Sequence, residues 1–225
     1  MSAGPRAPGA ARAADGAALR IAILAKAPLP GLAKTRLAPV LGTAGAAALA
    51  ERLLRHAVAQ AAAAAPGGVT LWAAPDTTHP VFTQLRQAHG VALAVQPAGD
   101  LGARMARVFN DSWAAAPGPL LLMGADIPAL GSALLRQAAD KLRSHAAVFV
   151  PAFDGGYALV GLRAGAPGLL AALFEGMHWS TPRVMADTRE RLAQLGVTAA
   201  ELAPVPDIDE AADLAWLPPG WLPAP

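Results

Sequence analysis

Short runs of apolar residues alternate with helical patterns along most of the chain. The first run, Leu19–Ala25, is nearly continuous, which is typical of a parallel strand that is covered on both faces. Later runs of the same kind predict strands at residues 69–74, 91–95, 120–123, 147–151 and 158–162. Because strands alternate with helices, the pattern predicts an α/β protein built on a parallel sheet.

Helical spacing of apolar residues fills the intervals between these runs. The longest pattern, 43–65, is rich in alanine, and Pro66-Gly67-Gly68 ends it. Shorter helices are predicted around 81–88, 103–115 and 132–143.

The C-terminal third of the chain continues the alternation. A helix is expected to begin near Ser180, with Thr181 as its cap and Pro182 in its first turn, and to end at Gly196. A last extended stretch, 197–205, is followed by a short helix through Leu217.

No internal repeat or interdomain linker interrupts this order. We therefore predict a single three-layer α/β/α domain, residues 19–217, with a mostly parallel, mixed sheet of about seven strands. Residues 1–18 and 218–225 are predicted to be a flexible N-terminal tail and an irregular C-terminal tail, and no secretory signal is apparent.

Composition narrows the possible functions. The chain has 225 residues, of which 54% are hydrophobic, and a net charge of +2, too small for a strong basic field directed at nucleic acid. It contains no cysteine, which excludes disulfide scaffolds, thiolate metal sites and cysteine nucleophiles. Charges and prolines interrupt every long apolar stretch, so no membrane span is expected and a cytoplasmic location is the default. The oligomeric state stays open.

The loop after the first strand carries three cations. Lys26, Lys34 and Arg36 lie in a segment stiffened by Pro28 and Pro30, just before a predicted helix. Ligands of open parallel sheets bind at the carboxyl ends of the strands, and cations near a helix N-terminus suit phosphate groups. The spacing of a Walker loop is absent. A solvated basic loop is the alternative interpretation.

Two acidic segments could hold a divalent cation. Asp126 directly follows the apolar run 120–123, where a carboxylate can serve as a hard oxygen ligand for Mg²⁺ or Mn²⁺. Asp207 and Asp209 lie late in the chain, and we expect only one of them to face the same cation. The alternative is a capping or turn-forming role for Asp126 and for Asp209.

Two glycine-rich turns complete the candidate site. Gly99-Asp100-Leu101-Gly102 opens a predicted helix, and Asp154-Gly155-Gly156-Tyr157 interrupts a pair of strands. Glycines let the backbone approach a ligand closely, although they also form ordinary hairpins and bulges.

Five motifs follow one another along the chain, namely KAPLPGLAKTRLAPVLG (26–42), GDLGARM (99–105), GADIPAL (124–130), DGGYALVGL (154–162) and DID (207–209). In this order, over about residues 20–216, they resemble a bacterial family whose members are assigned as glycosyltransferases of the GT-A, or nucleotide-diphospho-sugar transferase, superfamily. Some members are described as arsenosugar-biosynthesis glycosyltransferases.

The resemblance implies a nucleotide site and a metal site. An aspartate after the fourth strand and a late acidic residue hold the metal in the superfamily, which implies Asp126 and Asp209 as ligands of Mg²⁺ or Mn²⁺. Related sequences usually have a small polar residue and a cysteine beside the first aspartate, where this chain has Ala125 and Ile127. The superfamily also contains the phospholactate, phosphoenolpyruvate and molybdenum-cofactor guanylyltransferases.

We therefore expect a metal-dependent transferase that uses a nucleotide-activated donor, first of all a nucleotide sugar. A nucleotidyltransferase that joins an NTP to a small phosphorylated acceptor is the second hypothesis, and a non-catalytic nucleotide-binding protein is the third. The donor is expected to contact Lys26, Lys34, Thr35, Arg36, Gly99, Asp100, Leu101 and Gly102.

The reaction itself is expected to depend on Lys34, Arg36 and Asp154. The two cations would neutralise phosphates, and Asp154 would act as the general base for an attacking hydroxyl. A small polar acceptor such as a sugar is expected to contact Gly155, Gly156, Tyr157, Trp179, Ser180 and Thr181.

Overall fold

The computed structural model describes residues 18–165 and 167–222. The predicted N-terminal tail therefore lies outside the described residues, apart from Ala18, and so do the last three residues of the predicted C-terminal tail. The described residues form one α/β unit around a single sheet.

Seven strands form this sheet in the order β3-β2-β1-β4-β6-β5-β7. Their bounds are β1 Arg20–Lys26, β2 Val69–Ala74, β3 Ala92–Val95, β4 Leu120–Gly124, β5 Ala147–Pro151, β6 Tyr157–Leu162 and β7 Ala199–Glu201. All neighbouring strands are parallel except β6, which runs antiparallel to both β4 and β5. The prediction of a mostly parallel, mixed sheet of about seven strands is confirmed.

Six α-helices cover the two faces of the sheet. Their bounds are α1 Ala38–Ala64, α2 Pro80–His89, α3 Leu101–Ala115, α4 Ser132–Lys141, α5 Leu169–Phe174 and α6 Val184–Gln194. Helices α1, α2 and α4 contribute to the core on one face, and α3, α5 and α6 contribute on the other. This arrangement is the predicted three-layer α/β/α architecture.

Some predicted helix limits are wrong. Helix α1 begins at Ala38, five residues before the predicted start, and continues through a kink at Gly42, where φ is 68°. Helix α6 begins at Val184 instead of near Ser180, because Ser180 adopts a left-handed φ of 60° that interrupts a helix. Thr181 does not cap the helix, since its hydroxyl donates to the carbonyl of His178 at 2.9 Å. Helix α5 was not predicted.

The last described segment is packed against the rest of the domain. The short helix predicted after Glu210 is a 3₁₀ helix, Ala211–Trp216. Beyond it, the indole of Trp221 meets the ring of His56 edge to face at 4.9 Å, and Arg52 donates to the carbonyl of Gly220 at 2.7 Å. These contacts attach the described part of the C-terminal segment to α1.

One helical stretch in the described residues, Thr35–Ala64, is long and apolar enough to cross a membrane on length and composition alone. It includes α1, whose Leu49, Leu53 and Leu54 are buried in the domain core. The core helix of a globular domain passes the same test. The expectation that the chain has no membrane span therefore stays a prediction.

Strand β4 lies at the centre of the sheet and is the most deeply covered strand of the parallel half. Its residues Leu120, Leu121, Leu122 and Met123 are all buried. A strand covered on both faces reads as a continuous apolar run, which is why the sequence pattern located it correctly. Its carboxyl end delivers Asp126 to the edge of the sheet where β1 also ends.

We predict that Gly161→Ala destabilises the domain. A Cβ atom at Gly161 in β6 would lie 2.5 Å from Cδ2 of Leu121 and 2.6 Å from Cγ1 of Val148, so the packed core must shift to admit it. Overpacking of this kind costs about 2 kcal/mol of unfolding free energy, measurable by chemical denaturation. As a control, Gly131→Ala should cost far less, because φ there is −72° and the added Cβ atom would meet only Oε1 of Gln60, at 3.8 Å. Wild-type stability of Gly161→Ala would contradict the prediction.

Candidate active site

A cleft of about 690 Å³ opens at the carboxyl ends of β1 and β4. Its lining residues extend from Leu24 to Asp209 and come from both faces of the sheet. The sequence-predicted residues that line it are Lys26, Lys34, Thr35, Arg36, Gly99, Asp100, Leu101, Asp126, Asp154, Gly156, Tyr157, Trp179, Ser180, Thr181 and Asp209. Gly102 and Gly155 are not among the lining residues.

Lys34 lies between two of the predicted metal ligands. Its Nζ donates to Oδ2 of Asp126 at 2.7 Å and lies 3.5 Å from Oδ1 of Asp209. The Lys34 side chain is only 10% exposed, and its backbone is in the left-handed region with φ of 48°. This conformation is unusual for a residue other than glycine. It directs the ammonium group between two carboxylates that are 83 residues apart in the chain.

Arg36 adds a second cation on the exposed side of the same cluster. Its Nη1 donates to Oδ2 of Asp209 at 2.8 Å and lies 3.4 Å from Glu210. The helix-capping alternative for Asp209 is wrong, because Glu210 is the N-cap of the following 3₁₀ helix. Asp213 supports this turn by accepting hydrogen bonds from the backbone N–H groups of Asp209 and Glu210. The carboxylate of Asp209 is therefore directed to cations and not to the backbone.

A backbone hydrogen bond joins the two acidic segments. The N–H of Ile208 donates to the carbonyl of Asp126 at 3.2 Å, and the Ile208 side chain is fully buried. The buried Ile208 anchors the segment 207–209 beside the end of β4. Asp126 uses its carbonyl for this contact and its carboxylate for Lys34, which explains how one residue positions both parts of the site.

Asp207 is a further carboxylate on the cleft wall, beside Asp126 and Asp209. Both Asp207 and Asp209 line the cleft, and the expectation that only one of them faces the cation stays a prediction. Residues two apart on an extended segment lie on the same side. Burial, together with the negative charge of Asp154 and more weakly of Asp126, raises the pKa of Asp207 from 3.8 to about 6. Four carboxylates therefore share one edge of the sheet.

The turn before α3 also lines the cleft, and its residues have different roles. Asp100 accepts a hydrogen bond from the N–H of Ala103 at 2.8 Å and caps α3, so its carboxylate has a structural partner. A Cβ atom at Gly102 would collide with the carbonyl of Phe174 and with Trp179. Gly102 thus permits close packing of α3 against α5, whereas Gly99 and Leu101 line the cleft.

The turn 152–156 contributes Ala152, Asp154 and Gly156 to the lining of the cleft. The carboxylate of Asp154 accepts a hydrogen bond from the N–H of Gly156 at 2.8 Å. Gly155 has a φ of 88° and packs directly on the backbone of Pro182, which leaves no room for a side chain. The N–H of Phe153 donates a hydrogen bond to the carbonyl of Val205 at 3.2 Å. This contact ties the turn to the segment that leads to Asp207.

Two aromatic residues lie beneath this turn. The rings of Tyr157 and Trp179 meet edge to face with their centroids 6.4 Å apart, and Tyr157 also contacts Phe149 at 5.3 Å. Burial raises the pKa of the Tyr157 hydroxyl above its ordinary value. Within the described residues, neither the Tyr157 hydroxyl nor Nε1 of Trp179 has a hydrogen-bond partner. Both rings pack against the core under α3 and α5, and Nε1 of Trp179 lies against Gly102.

Sequence reasoning missed two polar residues of the cleft. Gln96 lines it and donates through Nε2 to the carbonyls of Ala25 and Trp72, at 2.8 and 3.0 Å, so it holds the ends of β1 and β2 together. Arg104 on α3 also lines it and donates to the carbonyl of Gly99 at 2.8 Å. Gln96 directly follows β3, so the strand-end rule that selected Asp126 would also have selected it.

The donor set fits a hard divalent cation. Asp126 and Asp209 supply carboxylate oxygens, which Mg²⁺ and Mn²⁺ prefer, and a positive charge already lies between them in the form of the Lys34 ammonium. Among the residues that the structure describes, no three His, Cys, Asp or Glu side chains form a ready-made metal cluster. A metal at this place would therefore complete its coordination with ligands from outside the protein.

We predict that Asp207→Asn stabilises the metal-free protein at pH 8. An acid whose pKa is raised on folding destabilises the native state once the pH rises through the interval from 3.8 to about 6, and the amide removes this cost. Since the carboxyl group is half exposed, we expect the free energy of unfolding to rise by about 1 kcal/mol at pH 8 and hardly at all at pH 3.5.

Chemical denaturation with a chelator present at both pH values measures this difference. Asp140→Asn on the exposed surface of α4 is the matched control, and its effect on the free energy of unfolding should be the same at both pH values. An equal effect of Asp207→Asn at pH 3.5 and pH 8 would contradict the electrostatic explanation.

Solved structures share this fold over nearly the whole chain. A protein from Desulfovibrio desulfuricans G20, provisionally assigned as a nucleotide-diphospho-sugar transferase, is 28% identical with a TM-score of 0.76, and the match covers 87% of this chain and 84% of that one. A nucleotidyl transferase from Methanothermobacter thermautotroptrophicus is 13% identical with a TM-score of 0.58, covering 92% and 99% of the two chains. The latter likeness concerns the fold alone.

A third neighbour was solved with a nucleotide bound. It is the CMP:2-keto-3-deoxy-manno-octonic acid synthetase in complex with CTP, 14% identical with a TM-score of 0.52, covering 89% of this chain and 96% of that one. A comparison with curated proteins gives no match.

The neighbours thus agree on a nucleotide-diphospho-sugar transferase-like fold, in accordance with the GT-A resemblance of the motifs. A family model matches residues 57–181, which is more than half of the chain and includes β4, the 152–156 turn and Trp179. The chain belongs to DUF2064, a family described as uncharacterised proteins conserved in bacteria.

Proposed function

We propose that the protein is a glycosyltransferase that uses a nucleotide-diphospho-sugar donor. The observation that carries the proposal is the meeting of the basic loop after β1 with the carboxylates after β4 and at 207–209 in one cleft. The 28% identical neighbour assigned as a nucleotide-diphospho-sugar transferase supports this class of donor.

Four cations would bind the diphosphate of the donor. Lys26, Lys34, Arg36 and Arg104 all line the cleft. Ammonium and guanidinium groups form charge-assisted hydrogen bonds with phosphate oxygens, which are roughly twice as strong as neutral ones. Lys34 and Arg36 would neutralise the negative charge of the departing diphosphate, because they contact Asp126 and Asp209, the proposed metal ligands.

Asp126 and Asp209 would hold Mg²⁺ or Mn²⁺ when the donor is present. The metal would supply additional positive charge for the diphosphate oxygens. Within the protein, Lys34 balances the same two carboxylates in its absence.

Asp154 is the proposed general base. In the transfer, the oxygen of an acceptor hydroxyl forms a bond to the anomeric carbon of the donor sugar, and the bond from that carbon to the diphosphate oxygen breaks. The nucleoside diphosphate leaves with the electron pair, and the hydroxyl proton passes to the carboxylate. The N–H of Gly156 holds the Asp154 carboxylate in place at the cleft wall.

Nucleotidyl transfer is the second candidate. Here the acceptor oxygen would attack the α-phosphorus of an NTP and release pyrophosphate. Four cations in the cleft suit a triphosphate as well as a sugar diphosphate. The fold shared with the nucleotidyl transferase and with the CTP-bound synthetase also accommodates this reaction.

We expect nucleotide sugars to bind more tightly in the presence of Mn²⁺ or Mg²⁺ than with a chelator. Isothermal titration calorimetry with UDP-glucose, GDP-mannose, dTDP-glucose, GTP and CTP measures both the preference and the metal requirement. Asp126→Asn removes one carboxylate from the proposed metal site and should weaken the metal-dependent binding at least tenfold, which is about 1.4 kcal/mol. Asp140→Asn should bind like the wild type, since Asp140 lies on the exposed surface of α4.

The titration also separates the candidate functions. Tight GTP or CTP binding with pyrophosphate release in a turnover assay favours nucleotidyl transfer. If none of the five probes binds under any metal condition, both transferase proposals are wrong.

We also expect Asp154→Asn to lower turnover by about 10² to 10⁴-fold, the usual contribution of a general base. Donor affinity should change by less than about threefold, because the side-chain hydrogen bonds that Lys34 and Arg36 form among the described residues go to Asp126, Asp209 and Glu210 and not to Asp154. Steady-state rates and calorimetry on the same preparation test the two statements. A collapse of donor binding in Asp154→Asn would show that this turn belongs to the donor site.

A further inference from the structure

One apolar cluster brings together segments that carry charges of the cleft. We call it the support cluster. Its buried members are Leu37, Ala46, Leu49, Leu53 and Ile208, and Leu41, Leu214, Leu217 and Trp221 pack against them. Leu37 directly follows Arg36, and Ile208 lies between Asp207 and Asp209. Because the side chains of Leu37 and Ile208 are completely buried, the support cluster fixes the backbone beside the ion pair of Arg36 with Asp209.

Trp221 connects this cluster to a third charged segment. Its indole meets the ring of His56 edge to face, with the two centroids 4.9 Å apart. Nε2 of His56 lies 3.1 Å from the carbonyl oxygen of Pro128, and since a carbonyl only accepts, the ring nitrogen donates this hydrogen bond. Pro128 follows Asp126 by two residues. Trp221 is therefore connected through His56 to the segment of Asp126, and through the support cluster to the basic loop and to the acidic segment 207–209.

The 3₁₀ helix between Asp209 and Trp221 has few anchors of its own. None of its residues, Ala211–Trp216, is buried. Beyond it, the indole of Trp221 is the largest side chain that this segment adds to the support cluster, and the guanidinium of Arg52 lies 5.7 Å from the centroid of its ring. Segments with few buried apolar contacts open locally at little free-energy cost. The attachment at Trp221 therefore limits how far the chain after Asp209 can move.

We propose that Trp221 is a positioning residue, which holds the acidic segment 207–209 against Asp126 and the basic loop. Trp221 is not among the residues that line the cleft, so it acts through the support cluster and His56. Charge interactions depend on distance, and misplacing a functional group by about 1 Å can lower a rate by a factor of about 10². The consequence for donor binding rests on the proposed function, whereas the placement of the segment does not.

Two substitutions of Trp221 and one matched control test this role. Trp221→Ala removes the ring, whereas Trp221→Phe keeps an aromatic ring against His56. The control is Trp113→Ala, because Trp113 is a partly buried tryptophan that packs on Phe109 in the core on the other face of the sheet and does not line the cleft. All measurements use the full chain at a temperature at which circular dichroism shows each variant to be folded. If Trp221→Ala does not fold, Trp221→Leu replaces it with the same expectations.

Amide hydrogen exchange, measured by NMR, reports the placement of the acidic segment directly. The N–H of Ile208 donates to the carbonyl of Asp126, and the N–H of the buried Leu122 in β4 is the reference for the core. In Trp221→Ala we expect exchange at Ile208 to be about tenfold faster or more, and exchange at Leu122 to change by less than about threefold.

The other two variants separate a local role from a general one. Trp221→Phe should restore exchange at Ile208 to within about threefold of the wild type, and Trp113→Ala should accelerate Ile208 no more than Leu122. Unchanged exchange at Ile208 in Trp221→Ala overturns the inference. Equal acceleration of both amides in that variant also overturns it, because Trp221 would then stabilise the domain as a whole.

Donor binding provides the functional measurement. Isothermal titration calorimetry compares the variants with UDP-glucose, GDP-mannose, dTDP-glucose, GTP and CTP in the presence of Mn²⁺. For each nucleotide that the wild type binds, Trp221→Ala should bind about fivefold more weakly or worse, whereas Trp221→Phe and Trp113→Ala should stay within about twofold. Wild-type affinity in Trp221→Ala overturns the positioning role even if exchange at Ile208 is faster. If the wild type binds none of the five nucleotides, the proposed function fails, and hydrogen exchange alone decides whether Trp221 holds the acidic segment.

Discussion

The mutual repulsion of carboxylates at one sheet edge is the constraint on which the site depends. Asp126, Asp154, Asp207 and Asp209 all line the same cleft. Lys34 and Arg36 offset two of these charges directly, at 2.7 and 2.8 Å, whereas Asp207 retains a pKa raised to about 6. Such a concentration of like charge destabilises the fold, which is typical of functional sites and not of surfaces selected for stability.

The negative charge of these carboxylates also explains the left-handed backbone conformation of Lys34 in the basic loop. A left-handed lysine is unfavourable by itself, and it persists only where surrounding contacts stabilise it. Here the ion pair with Asp126 provides that stabilisation for a side chain that is almost buried. The strained backbone indicates that a fixed position of the Lys34 ammonium group contributes more to the protein than a relaxed loop conformation would.

Packing positions the rest of the cleft through contacts between distant segments. The buried Ile208 brings its acidic neighbours to the end of β4, and the parallel bridge from Ala152 to Val205 brings the Asp154 turn beside them. Glycines that looked alike in the sequence have different roles in this arrangement. Gly155 and Gly102 allow elements of the protein to pack closely, whereas Gly156 and Gly99 line the cleft.

The sequence by itself determined the layers of the fold and the chemistry available to the site. The continuous apolar runs of β1 and β4 reflect burial on both faces, so a local pattern was sufficient to locate them. Asp126 and the basic loop could be selected because each directly follows such a run. The helix limits near Ser180 and Gly42 could not be located from the sequence. They depend on single left-handed residues whose conformation is set by neighbours in space.

Only the tertiary structure decided which charges face each other. The contact of Lys34 with Asp126 and Asp209 spans 92 and 175 residues of sequence, and no local propensity encodes it. The raised pKa of Asp207 and the ion pair of Arg36 with Asp209 have the same origin. Burial and charge interactions depend on distances through space, which the chain acquires only when the strands are assembled in their final order.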